Sequence, residues 1–294
     1  MIKKSLITAL ILLMGYHFVL PHLSRYYYLI PGQQRANYLR AQQYVHDTPS
    51  DANVIVGSSM ANALSDEVIG SKYVKLTFPA GGSLTGLEII QGTGKQPKVL
   101  WIESNTILKA LDRSMVQDVL SPWRRKLRDE FLVFREEGRP SNFETGFLKA
   151  LVGKICKVFS KTKGTGESSV SVEPTMDPAV LANIMKMTHE SLSRVPAAGD
   201  LASRADRLGE LVDGLMRRGT KCIFIEMPID SSLKNLPEPV AVRTAMLKRF
   251  PAGQYHWFQP DRDHDYQTFD GVHLIKSESD KLTEKMLRDT DGFQ

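Results

Sequence analysis

Two separated places in the chain carry the side chains that acyl chemistry needs. Residues 53–64 run "NVIVGSSMANAL", which sets two hydroxyls, Ser58 and Ser59, behind an apolar run and a glycine. Near the other end, "TFDGVHLIKSESD" places Asp270 three residues ahead of His273. Serine attack on a carbonyl requires a hydroxyl, a base to take its proton, and donors for the oxyanion. A histidine oriented by a carboxylate is the usual base. Three residues apart on a loop, a carboxylate can reach the Nδ1 side of the imidazole and leave Nε2 facing a serine. Each piece also has a purely structural reading. A serine at a strand-to-helix turn can cap the helix by accepting backbone N–H bonds, and Asp270 can be a surface charge. The same turn in other hydrolases lifts a nucleophile clear of the sheet.

The remaining histidines sit in less suggestive surroundings. His17 and His22 belong to an apolar N-terminal segment, His46 to a leader helix and His189 to a helical stretch, "NIMKMTHESL". His256 lies in a strand-like run, and His264 in the acidic "DRDHDY", whose spacing matches no metal-ligand motif. No metal and no organic cofactor are expected, since neither a Walker A nor a Gly-x-Gly-x-x-Gly stretch occurs. A net charge of +5, without concentration into one patch, does not point to nucleic acid. The two cysteines, Cys156 and Cys222, are far apart and imply no disulfide framework; Cys222 falls in "KCIFIEMP", a buried-strand pattern.

These residues need a scaffold, and the apolar patterning supplies one. Residues 53–57, 73–77, 98–103, 221–226 and 255–258 read as short strands, with helical patterns between several of them. One such pattern, residues 204–219, ends at Gly219, a plausible helix stop. Alternating strands and helices predict a parallel sheet covered on both faces, with sites gathered at the carboxyl ends of the strands. The interval of about residues 109–203 is too long for a simple crossover and reads as a helical insertion. Within it, residues 147–161 form a basic amphipathic pattern, suited either to an anionic membrane or partner or to an ordinary solvated surface. Residues 161–175 are Ser/Thr/Gly-rich and read as a loop.

The N-terminus argues for a membrane. Lys3 and Lys4 precede residues 5–24, which contain no Asp, Glu, Lys or Arg, and Tyr26, Tyr27 and Tyr28 follow. Twenty helical residues span about 30 Å, the thickness of a bilayer core, and aromatic residues favour its interface. A cleaved signal peptide is the rival, but no small-x-small site follows the apolar run. Residues 1–30 are therefore expected to be an uncleaved, single-pass transmembrane anchor in the cytoplasmic membrane. Residues 31–50 follow as a leader helix, and a globular domain over residues 51–294 lies on the extracytoplasmic (periplasmic) side.

With the short blocks in view, the chain resembles the SGNH/GDSL hydrolase family over roughly residues 50–290. That family carries four blocks in fixed order on a five-stranded parallel sheet in a three-layer α/β/α fold. Its Gly-Asp-Ser block matches "VIVGSS", with Ser58 in the aspartate's place, which makes Ser59 the nucleophile. Its second block supplies an oxyanion glycine, matched by Gly82 in "LTFPAGGSLTG", with Gly81 a close rival. Its Gly-x-Asn-Asp block matches "WIESNT", where Asn105 keeps the amide while Glu103 and Thr106 replace glycine and aspartate. Its Asp-x-x-His block is Asp270 and His273. The resemblance implies an acyl-Ser59 intermediate, with an oxyanion hole made by Asn105 and the backbone N–H groups of Gly82 and Ser59.

The anchor and the Gly-Ser-Ser block are similar to the membrane-tethered branch of that family, which acts in cell-envelope acylation. The expected activity is O-acyl transfer, with acetyl the expected group, onto an envelope or exported polysaccharide. A multi-pass membrane-bound O-acyltransferase is the expected acyl supplier. An esterase that removes acyl groups, and a non-catalytic accessory subunit of an acylation complex, are the alternatives.

Overall fold

A computed structural model describes residues 2–20, 32–139, 178–261 and 264–291. The chain forms two compact units, one of residues 47–117 and 176–294, the other of residues 1–46 and 118–175.

The larger unit is built on five strands: β1 (Val54–Gly57), β2 (Val74–Thr77), β3 (Val99–Glu103), β4 (Lys221–Ile225) and β5 (His256–Phe258). All pair in parallel, in the order β2-β1-β3-β4-β5. The five strand-like runs of the sequence are these five strands. Their β-branched and aromatic residues suit a sheet buried on both faces. One face carries Ile55, Trp101 and Ile223. These pack with Met60 and Ala61 of α3 (Ser59–Asn62), Ile69 of α4 (Asp66–Ile69) and Leu282 and Met286 of the C-terminal helix (Lys276–Asp291).

The opposite face is covered by α5 (Ser83–Thr93) and by a long helix over Ala198–Arg217, so the sheet has helices on both sides. Gly86 of α5 lies so close that a Cβ there would sit 2.7 Å from Val56 Cγ1. Cys222 is buried in β4, and burial pushes its thiol up to about 12. In a sheet of this order the chain reverses direction between β1 and β3, and the crevice beyond their carboxyl ends is the natural place for a site.

The interval read as a helical insertion is divided between the two units. Helix α6 (Arg113–Leu120) crosses the division, and α7 (Pro122–Glu130) belongs to the smaller unit. The next helix described, α8 (Pro178–Leu192), returns to the larger unit. It precedes α9 (Ala198–Arg217), named above, α10 (Pro237–Arg249) and α11 (Lys276–Asp291). The basic pattern at residues 147–161 and the loop at 161–175 lie outside the described residues.

The smaller unit contains α1 (Ile2–Val19), most of α2 (Gln33–Asp47) and α7. The fully buried Leu20 packs with Val133, and His17 stands edge-on to Phe131 with ring centroids 5.6 Å apart. His46 Nδ1 lies 2.6 Å from Asp129, and Gln42 Oε1 accepts the Glu136 N–H at 2.6 Å. The leader helix of the sequence reading is α2.

The expected spanning helix is not present as such: no helix among the described residues is long and apolar enough to cross a membrane. Helix α1 has 18 residues, about 27 Å at 1.5 Å per residue. It begins with two lysines and carries Tyr16 and His17 in its last turn. Its apolar side chains are nonetheless bare, with Leu6, Ile7, Ile11, Leu12 and Phe18 between 58 and 68% exposed.

Candidate active site

The turn after β1 divides two tasks between two adjacent hydroxyls. Ser58 is the N-cap of α3, and its Oγ accepts the Met60 N–H at 3.1 Å. Ser59, the first residue of that helix, borders a cavity of about 450 Å³. Its Oγ lies 2.8 Å from His273 Nε2. The capping role and the contact with histidine thus fall on different serines.

The turn is held from below by Glu103, the last residue of β3, which is 1% exposed. One carboxylate oxygen accepts the Ser58 N–H at 2.7 Å and the Ala61 N–H at 3.1 Å; the other accepts the Thr106 hydroxyl at 2.8 Å. The Ser58 hydroxyl donates to the same carboxylate at 2.8 Å. All of these partners are donors, which matches a carboxylate acting as acceptor alone. The approach is possible because residue 57 is glycine: a Cβ there would stand 2.5 Å from both Glu103 Oε2 and Ala61 Cβ. Ser58 and Glu103, two of the three positions at which the chain departs from the Gly-Asp-Ser and Gly-x-Asn-Asp blocks, are therefore partners in one interaction, and the third, Thr106, donates to the same carboxylate.

Asp270 and His273 occupy a loop closed by a bridge between Thr268 and Leu274 and by a Phe269 N–H bond to His273 O at 3.0 Å. Gly271 takes φ +91°, a left-handed conformation that favours glycine, and its carbonyl accepts the Asp230 N–H at 2.8 Å. The turn aims Asp270 inward: Oδ2 is 2.6 Å from His273 Nδ1, and Oδ1 accepts the His273 and Val272 N–H groups at 2.8 and 3.1 Å. Since the carboxylate accepts the hydrogen bond from Nδ1–H, Nε2 is left to accept one from the Ser59 hydroxyl. Phe269 stacks on the imidazole, with centroids 5.5 Å apart and planes 16° from parallel. Burial by itself would raise the Asp270 carboxyl. Its hydrogen bonds from the His273 ring and from the loop amides outweigh burial and hold it below the usual carboxylate range.

The remaining predicted residues fall at the same place. Asn105, just beyond β3, borders the cavity, and its amide is fixed by Met227: Nδ2 donates to Met227 O at 2.9 Å, and Oδ1 accepts Met227 N–H at 2.6 Å. A primary amide carries two N–H groups, so one remains for the cavity. Gly82 is the N-cap of α5, where a Cβ would meet Thr106 O at 2.6 Å. The rival Gly81, together with Ala80, borders the cavity, and its N–H is donated to Phe78 O at 2.8 Å. Ala80 adopts φ +62°, a strained conformation for a residue with a Cβ. Among the described residues of the larger unit, no histidine but His273 borders the cavity. His46 faces Asp129, His264 pairs with the buried Glu278, and His189 and His256 are exposed.

Sequence reasoning missed the far wall of the cavity. It is supplied by α8 and α10, through Ile184, Met187 and Val242, and by the ion pair of Glu226 and Arg243, with bonds of 2.8 and 2.9 Å. That hydrogen bond raises the Arg243 guanidinium above its ordinary value. Burial pushes the Glu238 carboxyl, also on the wall, above the usual range, while Lys109 and Arg194 pull it back only in part. The stretch "NIMKMTHESL" was legible as helical, but nothing local says that Ile184 and Met187 turn towards Ser59.

Two substitutions test this geometry. Asp270→Asn is expected to lower any Ser59-dependent turnover by about 10³–10⁴-fold, because the imidazole loses its orienting acceptor. Because Asp270 is depressed in the fold, its contribution to stability is complete above the unfolded value and is lost as pH falls through the folded one. Denaturant titrations of Asp270→Asn should therefore show a flatter acid limb than wild type. Ser58→Asp, which sets a second carboxylate against Glu103, is expected to cost about 3 kcal/mol, and the double variant with Glu103→Gly should lose about 1–2 kcal/mol less than the sum of the two single losses. Strictly additive losses would break the link between positions 58 and 103. Comparison with models of known protein families and with curated proteins found no match to the chain.

Proposed function

We propose that the chain is an extracytoplasmic O-acyltransferase of the SGNH type, acylating an envelope or exported polysaccharide through an acyl-Ser59 intermediate. The observation that carries this reading is the continuous hydrogen-bonded array of Asp270, His273 and Ser59 opening on a cavity. In the first half-reaction His273 Nε2 takes the Ser59 proton as Oγ attacks the carbonyl carbon of an acyl donor. The oxyanion is met by the Asn105 N–H that Met227 leaves over and by the backbone N–H groups of Ser59 and Gly82. Collapse breaks the bond to the leaving alcohol, which departs with the proton from His273 and leaves Ser59 esterified. In the second half, a sugar hydroxyl gives its proton to His273 and attacks the acyl carbon; collapse breaks the bond to Ser59 Oγ, which takes the proton back from His273.

Two further features support the reading. Glu226, Arg243, Glu238 and Lys109 line the same cavity as Ser59, offering donors and acceptors to a sugar. The bare apolar surface of α1, behind two lysines, suits attachment to a membrane, where a multi-pass O-acyltransferase would deliver acyl groups. The chemistry requires no metal or organic cofactor.

Incubation of the full-length protein with a p-nitrophenyl ester and a neutral oligosaccharide, read by mass spectrometry, tests the proposal. Acylated oligosaccharide is the expected product, reduced by about 10⁴-fold or more in Ser59→Ala. Free acid alone would identify a deacylase, and a folded protein inert to donor would identify an accessory subunit.

A further inference from the structure

The wall around Ser59 is mixed in a way that bears on the substrate. Ile184, Met187 and Leu192 of α8 line it, as do Val242 of α10, Ile229 and Val272. Met187 is 62% exposed and borders the same cavity as Ser59. Polar groups occupy other parts of the same wall: the Glu226–Arg243 pair, Glu238 and Lys109. Helix α8 is held against the Asp270–His273 loop, since a Cβ on Gly271 would meet Met185 Sδ at 2.9 Å and Leu233 Cδ1 at 2.7 Å.

A sugar's hydroxyls, packed against Ile184, Met187 and Val242, would lose their water without gaining partners, and only the C–H faces of the ring could lie there. Of the two substrates in the proposed reaction, the acyl group alone can present a continuous flexible apolar chain. A cavity of about 450 Å³ is far larger than the single methyl of an acetyl group needs, and falls in the range that buries drug-sized ligands. We propose that the acyl group accepted by Ser59 carries an apolar chain of about six to ten carbons, lodged against α8, and is not acetyl. The inference rests on the acyl-serine reading and names its substrate class. Methionine, unbranched and polarizable, adapts to a flexible chain and suits this wall. The polar groups are left to face the acceptor sugar.

The test is a series of p-nitrophenyl esters from acetate to decanoate, with the full-length wild-type protein and hydrolysis read as kcat/KM. Because each buried methylene gains transfer free energy, kcat/KM should rise about tenfold or more from acetate to hexanoate. Ile184→Trp, which fills the wall, should move the optimum towards acetate, and Met187→Ala should extend it by one or two carbons or leave long chains favoured. A profile that peaks at acetate in the wild-type protein would overturn the inference. So would long-chain preference unmoved by Ile184→Trp in a variant whose unfolding transition is unchanged. Because Ser59→Ala is run against every ester, the two readings fail separately. Ser59-dependent turnover with an acetate optimum sinks only the chain-length inference, whereas turnover that survives Ser59→Ala sinks the acyl-serine reading beneath it as well.

Discussion

A single buried carboxylate organises the larger unit's sheet end. Glu103 gathers the Ser58 amide and hydroxyl, the Ala61 amide and the Thr106 hydroxyl, and so ties the turn after β1 to the turn after β3. Removing such an acceptor would leave several buried donors without partners, each costing about 1–3 kcal/mol. The interaction also demands Gly57, because any side chain there would occupy the volume of the carboxylate. The position of Ser59 follows from it. The serine is presented at the cavity because the residue before it is bound from below and capped from above.

The second constraint is the loop that brings Asp270 and His273 back to that serine across 214 positions of sequence. Its rigidity comes from backbone bonds on both sides of a left-handed glycine and not from the two side chains alone. An imidazole held on both nitrogens, and stacked on Phe269, has little freedom to turn away. The array is thus preorganised, which is how a proton transfer and an electrostatic site gain most of their effect.

The sheet was legible because β-branched runs such as Val54, Ile55 and Val56 leave little choice, and because helices recur between them. The Asp270–His273 pair was legible because its geometry is local: three residues of loop suffice to build it. What could not be read depends on distance. The identity of Asn105's clamp, the backbone of Met227, lies 122 residues away. The link between Ser58 and Glu103 appeared in the sequence only as two separate departures from a familiar pattern. Gly81 and Gly82 could not be ranked from composition; the structure sets Gly81 on the cavity and Gly82 against Thr106. The interval between β3 and β4 looked like one insertion, yet α7 and α8 belong to different units. The N-terminal pattern suggested a span of twenty residues, whereas α1 is an 18-residue helix with polar ends.

The central claim is that Ser59 is an activated nucleophile, and intact-protein mass spectrometry after exposure to a serine-reactive fluorophosphonate probe tests it most directly. The account predicts one adduct on the full-length protein, mapping to Ser59, absent in Ser59→Ala and strongly slowed in His273→Ala. An adduct that persists in Ser59→Ala, or none in the folded wild-type protein, would contradict it.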